Sequence, residues 1–135
     1  MTTPTHDDLA RRLRDAYRSG AVPPMRDGLD PVDAAGAYAV QTINTRLWES
    51  QGRRIVGRKA GLTAKAVQTQ LGVSQPDFGV LFDDMQIADS GTLDPARTLQ
   101  PKAEAEIAFI LAEDLDDPAT TPEMVAAAVA TVHAP

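Results

Sequence analysis

The residues that could most directly do chemistry are two glutamates separated by a single alanine. Glu104 and Glu106 open a stretch whose alternating pattern predicts a strand from Glu104 to Leu111. Because strand side chains alternate between faces, both carboxylates would point to the same side, where a cation would convert their repulsion into binding. A solvated acidic face on a half-buried strand has the same spacing, and the spacing alone favours that interpretation.

A lysine and an aspartate elsewhere in the chain could move protons. Lys59 ends a short predicted strand between Gly57 and Gly61, and glycines permit close approach of a ligand. Asp77 falls in a predicted Pro-Asp-Phe-Gly turn, from which a carboxyl group could act as a general acid or base. Taken locally, Lys59 is typical of a surface lysine and Asp77 of a turn-forming aspartate, so these alternatives stay open.

The composition limits the kinds of site that these residues could form. The 135 residues include no cysteine and two histidines, which excludes thiolate chemistry and leaves carboxylates as the main metal ligands. Oxygen ligands favour hard cations such as Mg²⁺ or Mn²⁺. The net charge of -6 argues against a nucleic-acid partner. No apolar run is long enough to cross a membrane and no secretory signal pattern is present, so we expect a cytoplasmic protein.

Hydrophobic periodicity predicts that helices and short strands position these side chains. Residues 1–52 form a predicted N-terminal helical region, with one helix from about Asp7 to Ser19 and a second that begins at Asp30. Residues 53–135 form a predicted β-rich region of the same domain.

Within that region we expect strands at residues 53–60 and 80–87, in addition to the strand that carries the glutamates. Thr63 is predicted to cap a short helix between the first two strands. A final helix is predicted to begin near Thr121 and to include Val129 and Val132.

Three separated stretches together resemble one family, and their order and spacing match it as well. They are Val56–Thr63, Gln70–Gly79 and Gln100–Phe109. The chain resembles the 2-keto-4-pentenoate hydratases (2-hydroxypenta-2,4-dienoate hydratases), which belong to the fumarylacetoacetate hydrolase superfamily. The resemblance covers nearly the whole chain from the first predicted helix onward.

The resemblance implies a role for each candidate residue. Glu104 and Glu106 would be two of three carboxylate ligands of Mg²⁺ or Mn²⁺, and Lys59 and Asp77 would be acid/base groups near the substrate. The third glutamate is expected beyond Pro135, since members of the family are about twice as long as this chain. The resemblance therefore implies that residues 53–135 are the first part of a β-rich catalytic region, in a truncated chain whose C-terminal half is absent.

The resemblance also implies a fold, an activity and partners. The fold is α+β, with helices flanking a mixed, rolled β-sheet. The activity is the addition of water to a small 2-hydroxydienoate or its 2-oxo tautomer in aromatic-compound degradation. The assembly is a homo-oligomer, associated in one hypothesis with a downstream aldolase or a decarboxylase. Two alternatives stay open: a 2-oxo-3-hexenedioate (4-oxalocrotonate) decarboxylase, and a non-catalytic fragment or partner-binding subunit.

Overall fold

The computed structural model describes residues 3–134, which form an α+β structure. These residues divide after Gln100 into two compact units. The predicted division into residues 1–52 and 53–135 stays a prediction. Residues 1, 2 and 135 of these two regions lie outside the described part. Across residues 3–134, no helix combines the length and the apolar character that a membrane span requires.

The described residues form four α-helices and four strands. The helices are α1 (His6–Ser19), α2 (Ala34–Ser50), α3 (Lys65–Leu71) and α4 (Pro122–Ala128), and the strands are β1 (Ile55–Gly61), β2 (Asp77–Phe82), β3 (Ala108–Leu111) and β4 (Val129–His133).

Helix α1 begins and ends as the sequence predicts. The Thr5 hydroxyl accepts a hydrogen bond from the Asp8 backbone N–H, and the Asp8 carboxylate accepts one in return from the Thr5 backbone N–H. Gly20 ends the helix with a φ of 96°, which a glycine adopts without steric cost. The buried face of α1 packs on α2, and Leu9 and Val40 form the centre of that core.

The second helix begins later than predicted. Its N-cap is Asp33, whose carboxylate accepts from the Gly36 N–H at 2.8 Å. The Asp30 carboxylate instead accepts from the Val32 N–H at 3.0 Å, so it closes a local turn before the helix. Both aspartates suit an N-cap, and the sequence pattern gave no means of ranking them.

Strands β1 and β2 form an antiparallel hairpin in the first unit. Their register pairs Lys59 with Gly79 and Gly61 with Asp77. The predicted turn at residues 75–79 is therefore wrong for Asp77 to Gly79, which lie in β2. The predicted extended segment 80–87 is wrong beyond Phe82, where a single 3₁₀ turn follows. Pairing with β1 outweighs the local turn preference of the Pro-Asp-Phe-Gly sequence.

The segment between the hairpin strands is held by a buried glutamine rather than by a threonine cap. The predicted Thr63 cap is wrong, because α3 starts after Ala64 and has no side-chain cap. Gln68 is buried, and its amide donates to the Leu62 carbonyl at 2.7 Å. Leu62 has a φ of 55°, which is uncommon for a leucine, so this bond helps to hold a strained turn directly after β1.

An aromatic cluster anchors the far end of the hairpin to α2. Phe82 is 2% exposed and meets the Trp48 ring edge-on, with ring centroids 5.8 Å apart. The Arg53 guanidinium lies 4.2 Å from the centre of the Phe82 ring and donates to Asp84. Beside it, hydrogen bonds from the backbone and side chain of Arg54 lower the pKa of Asp83.

The second unit contains the antiparallel pair β3–β4 and the short helix α4. The predicted strand from Glu104 is wrong in its first half, because β3 begins at Ala108. The predicted final helix is also too long. Helix α4 ends at Ala128, and Val129 and Val132 lie in β4, where β-branched side chains are favoured. The described sheets have two strands each, and the mixed, rolled sheet stays a prediction.

Candidate active site

Lys59 and Asp77 lie on the same face of the β1–β2 hairpin. Residues that pair directly in an antiparallel ladder point to the same side, and so do residues two apart on one strand. The register therefore places Lys59, Gly61, Asp77 and Gly79 on one face. Lys59 and Asp77 occupy diagonal positions, which are typically about 7–8 Å apart. The structure thus brings together the two side chains that were predicted to move protons.

Each of these two side chains faces a glycine across the hairpin. Gly61 stands opposite Asp77, and a methyl group added at Gly61 would overlap with the Asp77 carboxylate, whose Cγ would be 3.2 Å away. Gly79 stands opposite Lys59, and a methyl group added there would meet no atom within 4 Å. Gly61 therefore accommodates the Asp77 carboxylate, and Gly79 leaves open space opposite the Lys59 side chain.

Helix α2 holds the strand beside Asp77 through two polar side chains. The Phe78 backbone N–H donates to the Tyr38 hydroxyl at 3.0 Å, and the Phe78 carbonyl accepts from the Gln41 amide at 3.1 Å. The sequence analysis missed both residues as candidates for the site. Their spacing of three on one helix face was a visible signal, but nothing in the sequence identified their partner.

An open groove of about 1070 Å³ runs beside these groups within the first unit. Its lining includes Tyr38, Gln41 and Asp77, together with apolar side chains such as Leu62 and Val73. A concave surface that is mostly apolar with a few converging polar groups is typical of small-molecule sites. The groove therefore offers a small organic substrate access to the Asp77 carboxylate.

Glu104 and Glu106 belong to the second unit, in the irregular segment that precedes β3. The inference that a strand directs both carboxylates to one face is wrong, since neither residue lies in a strand. Both side chains are exposed, and their oxygens suit a hard cation. Among residues 3–134, no group of three or more His, Cys, Asp or Glu side chains is arranged to hold a metal ion. The pair thus fits part of a carboxylate metal site.

Sequence comparison identifies proteins that are similar to this chain. The chain is 57% identical over 107 residues to 2-keto-4-pentenoate hydratase 1 of Dechloromonas aromatica (strain RCB), covering 78% of this chain and 41% of the relative. It is 47% identical over 130 residues to the 2-keto-4-pentenoate hydratase of Paraburkholderia xenovorans (strain LB400), covering 96% of this chain and 48% of the relative. The chain is a homologue of the 2-keto-4-pentenoate hydratases. It spans a little under half the length of these hydratases.

Comparison with solved structures identifies a structural relative of this chain. This hydratase homologue superposes on 4-oxalocrotonate decarboxylase from Pseudomonas putida G7 with a TM-score of 0.86 and 32% identity, over 98% of this chain and 51% of that one. That decarboxylase was solved in complex with calcium and acetate, and also with magnesium and adipate. No protein-family model matches the chain.

Proposed function

We propose that this protein adds water to 2-hydroxypenta-2,4-dienoate, giving 4-hydroxy-2-oxopentanoate. One observation carries the proposal: Lys59 and Asp77 share one face of a hairpin that leaves a glycine opposite each, in a chain 57% identical to a named hydratase over 107 residues. An ammonium group and a carboxylate group on one face can serve a reaction that needs both proton donation and proton acceptance.

The reaction requires several proton transfers, and the hairpin residues suit them. The 2-hydroxyl group loses a proton while C5 gains one, which yields a conjugated 2-oxo-3-enoate. Water then adds at C4 and loses one proton, which leaves a hydroxyl group there, and C3 is protonated. Lys59 and Asp77 would carry these protons between the substrate and water. Each correctly placed acid or base typically contributes about 10²–10⁴-fold in rate.

The carboxylates of the second unit would hold a divalent cation. Glu104 and Glu106 would supply two oxygen ligands to Mg²⁺, with Mn²⁺ as an alternative of similar ligand preference. When bound, such an ion supplies Lewis acidity that stabilises negative charge on an oxygen. The related decarboxylase, solved with magnesium or calcium, supports a divalent metal.

The groove suits a small substrate with a short apolar chain. Its apolar side chains, among them Leu62 and Val73, would contact the hydrocarbon part, while Asp77 lies among its polar groups. We further propose the mixed, rolled sheet of the fumarylacetoacetate hydrolase superfamily, a homo-oligomeric assembly in the cytoplasm, and association with an aldolase or decarboxylase of the same pathway. The likeness to the decarboxylase structure supports the sheet.

The assay is direct. The full-length gene product is incubated with freshly generated 2-hydroxypenta-2,4-dienoate and Mg²⁺, and loss of dienol absorbance is followed together with mass spectrometry of the product. We expect 4-hydroxy-2-oxopentanoate to accumulate, and removal of the metal with a chelator to stop it. Absence of turnover with both Mg²⁺ and Mn²⁺ would contradict the proposal.

Decarboxylation of 2-oxo-3-hexenedioate is the second candidate, because the superposed structure is that of a 4-oxalocrotonate decarboxylase. The higher identity to named hydratases, 47% to 57% against 32%, favours hydration. Incubation with 2-oxo-3-hexenedioate separates the two candidates, since release of carbon dioxide identifies the decarboxylase.

A further inference from the structure

Both hydrogen-bonding groups of a single residue, Phe78, are bound by one helix. Its N–H donates to the Tyr38 hydroxyl at 3.0 Å and its carbonyl accepts from the Gln41 amide at 3.1 Å. In an antiparallel pair, the backbone groups of successive residues point alternately toward the partner strand and away from it. Because both groups of Phe78 point to α2, those of Asp77 and Gly79 point toward β1.

This arrangement fixes the peptide plane next to the Asp77 side chain. The Phe78 N–H belongs to the peptide group that joins Asp77 to Phe78, so the Tyr38 hydroxyl holds the plane directly after the Asp77 Cα. On its other side, Asp77 pairs with Gly61, which leaves room for the carboxylate. Asp77 is therefore held by α2 on one edge and by β1 on the other.

The contacts lie at the candidate site itself. Tyr38 and Gln41 line the same groove as Asp77 and are only partly exposed. Further along β2, Trp48 of the same helix packs on Phe82, so α2 contacts β2 near both of its ends. Tyr38 and Gln41 are thus the part of this contact that lies nearest the proposed proton-transfer group.

We propose that Tyr38 and Gln41 are positioning residues that set the direction of the Asp77 carboxylate. This inference rests on the proposed hydratase function, in which Asp77 moves protons. Neither side chain needs to touch the reacting atoms, since both act through the backbone of Phe78. A displacement of about 1 Å at a reacting group can cost on the order of 10²-fold in rate.

The test uses Tyr38→Phe and Gln41→Ala in the full-length gene product. The matched controls are Tyr17→Phe, which removes a hydroxyl from a side chain that is 60% exposed on α1, and Gln51→Ala, at the exposed end of α2. We expect each test variant to lower kcat by roughly 10-fold or more while KM changes about twofold at most. We expect the two controls to retain wild-type kcat.

A second measurement does not depend on turnover. Amide hydrogen exchange at Phe78 should become roughly five- to tenfold faster in Tyr38→Phe, because the N–H loses its acceptor, and should be unchanged in Tyr17→Phe. The ¹³C signal of the Asp77 carboxyl group should also move or broaden. In an active enzyme, an unaltered kcat in the test variants overturns the inference, and so does an unaltered Asp77 signal.

These readouts separate the inference from the proposed function. If the wild type shows no hydratase turnover, the proposed function fails. The Asp77 carboxyl signal then decides whether Tyr38 and Gln41 orient that group: a changed signal in the test variants supports the inference, and an unchanged one overturns it.

Discussion

The carboxylate of Asp77 occupies the space that a side chain at Gly61 would fill. The two residues are directly paired across the β1–β2 hairpin, and a methyl group on Gly61 would overlap with the carboxylate oxygen. The glycine therefore determines where the acid group of the neighbouring strand can lie. At the neighbouring pair the space stays open, because a methyl group added at Gly79, opposite Lys59, would meet no atom within 4 Å. The hairpin thus presents a cationic and an anionic side chain on one face, each opposite a glycine.

The first prediction concerns that contact. Gly61→Ala should displace the Asp77 side chain, because the far end of an exposed carboxylate moves more easily than the strand backbone. We expect kcat to fall by roughly 10- to 100-fold while the melting temperature changes little. Steady-state kinetics and thermal unfolding of the same preparation would check both parts.

The matched control for this substitution lies on the same strand. A methyl group added at Gly57 would meet its nearest neighbour, the Leu81 side chain, at 3.7 Å, an ordinary contact distance. Gly57→Ala should therefore retain wild-type kcat. Equal losses in both variants would show that β1 tolerates a side chain at neither glycine, and the specific role of Gly61 would be wrong.

The second prediction concerns the proton-transfer groups. Lys59→Met and Asp77→Asn should each lower the hydration rate by about 10²–10⁴-fold, since each removes an acid/base group and keeps a similar shape. Both residues are exposed in the structure, so urea unfolding should show little loss of stability. The neighbouring cation supplies the control: Arg58→Met removes a positive charge from the adjacent position of β1. A wild-type rate in both test variants would refute the assignment.

The sequence predicted best where local signals act alone. Helix α1 has its start at the Thr5 cap and its end at Gly20, both of which depend on nearby backbone groups. The same reasoning failed at Asp30, because two aspartates three residues apart compete for one helix start. Val129 and Val132 were assigned to a helix by their spacing, and pairing with β3 instead places them in a strand.

In the candidate site, too, local sequence signals predicted some features, and features that depend on distant segments were missed. Lys59 and Asp77 were chosen from family-like sequence stretches, and their position on one face depends on a strand register that local patterns do not contain. Tyr38 and Gln41 were missed because their partner is a backbone group 40 and 37 residues away, respectively. The strand proposed for Glu104 and Glu106 was wrong, so their shared role rests on the family resemblance and their oxygen chemistry.

The third prediction addresses what holds the hairpin on α2. Phe82→Ala should lower the free energy of unfolding by about 3–5 kcal/mol, because it removes a buried ring that contacts Trp48 and Arg53. Phe109→Ala is the comparison, since that ring is 59% exposed and its removal leaves no cavity. Chemical denaturation would measure both, and similar losses in the two variants would contradict the assigned core.

The fourth prediction concerns acid stability. The pKa of Asp83 is lowered from its ordinary value of 3.8, first by the hydrogen bond from the Arg54 backbone N–H and then by the Arg54 side chain. A lowered pKa in the folded state stabilises the protein above pH 3.8, and this contribution disappears as the pH falls through the folded value. Asp83→Asn should therefore destabilise the protein at pH 7 and less so at pH 3. Urea midpoints at the two pH values test this, and a constant gap would contradict it.

The fifth prediction concerns the divalent cation. If Glu104 and Glu106 hold it, saturating Mg²⁺ should raise the melting temperature, since a ligand at 100 times its Kd stabilises the folded state by about 2.7 kcal/mol. Glu104→Gln and Glu106→Gln should remove most of that rise, measured for each variant against its own metal-free melting temperature. Glu113→Gln, an exposed change in the same unit, should keep the full rise. An equal response to Mg²⁺ in all three variants would place the metal on other groups.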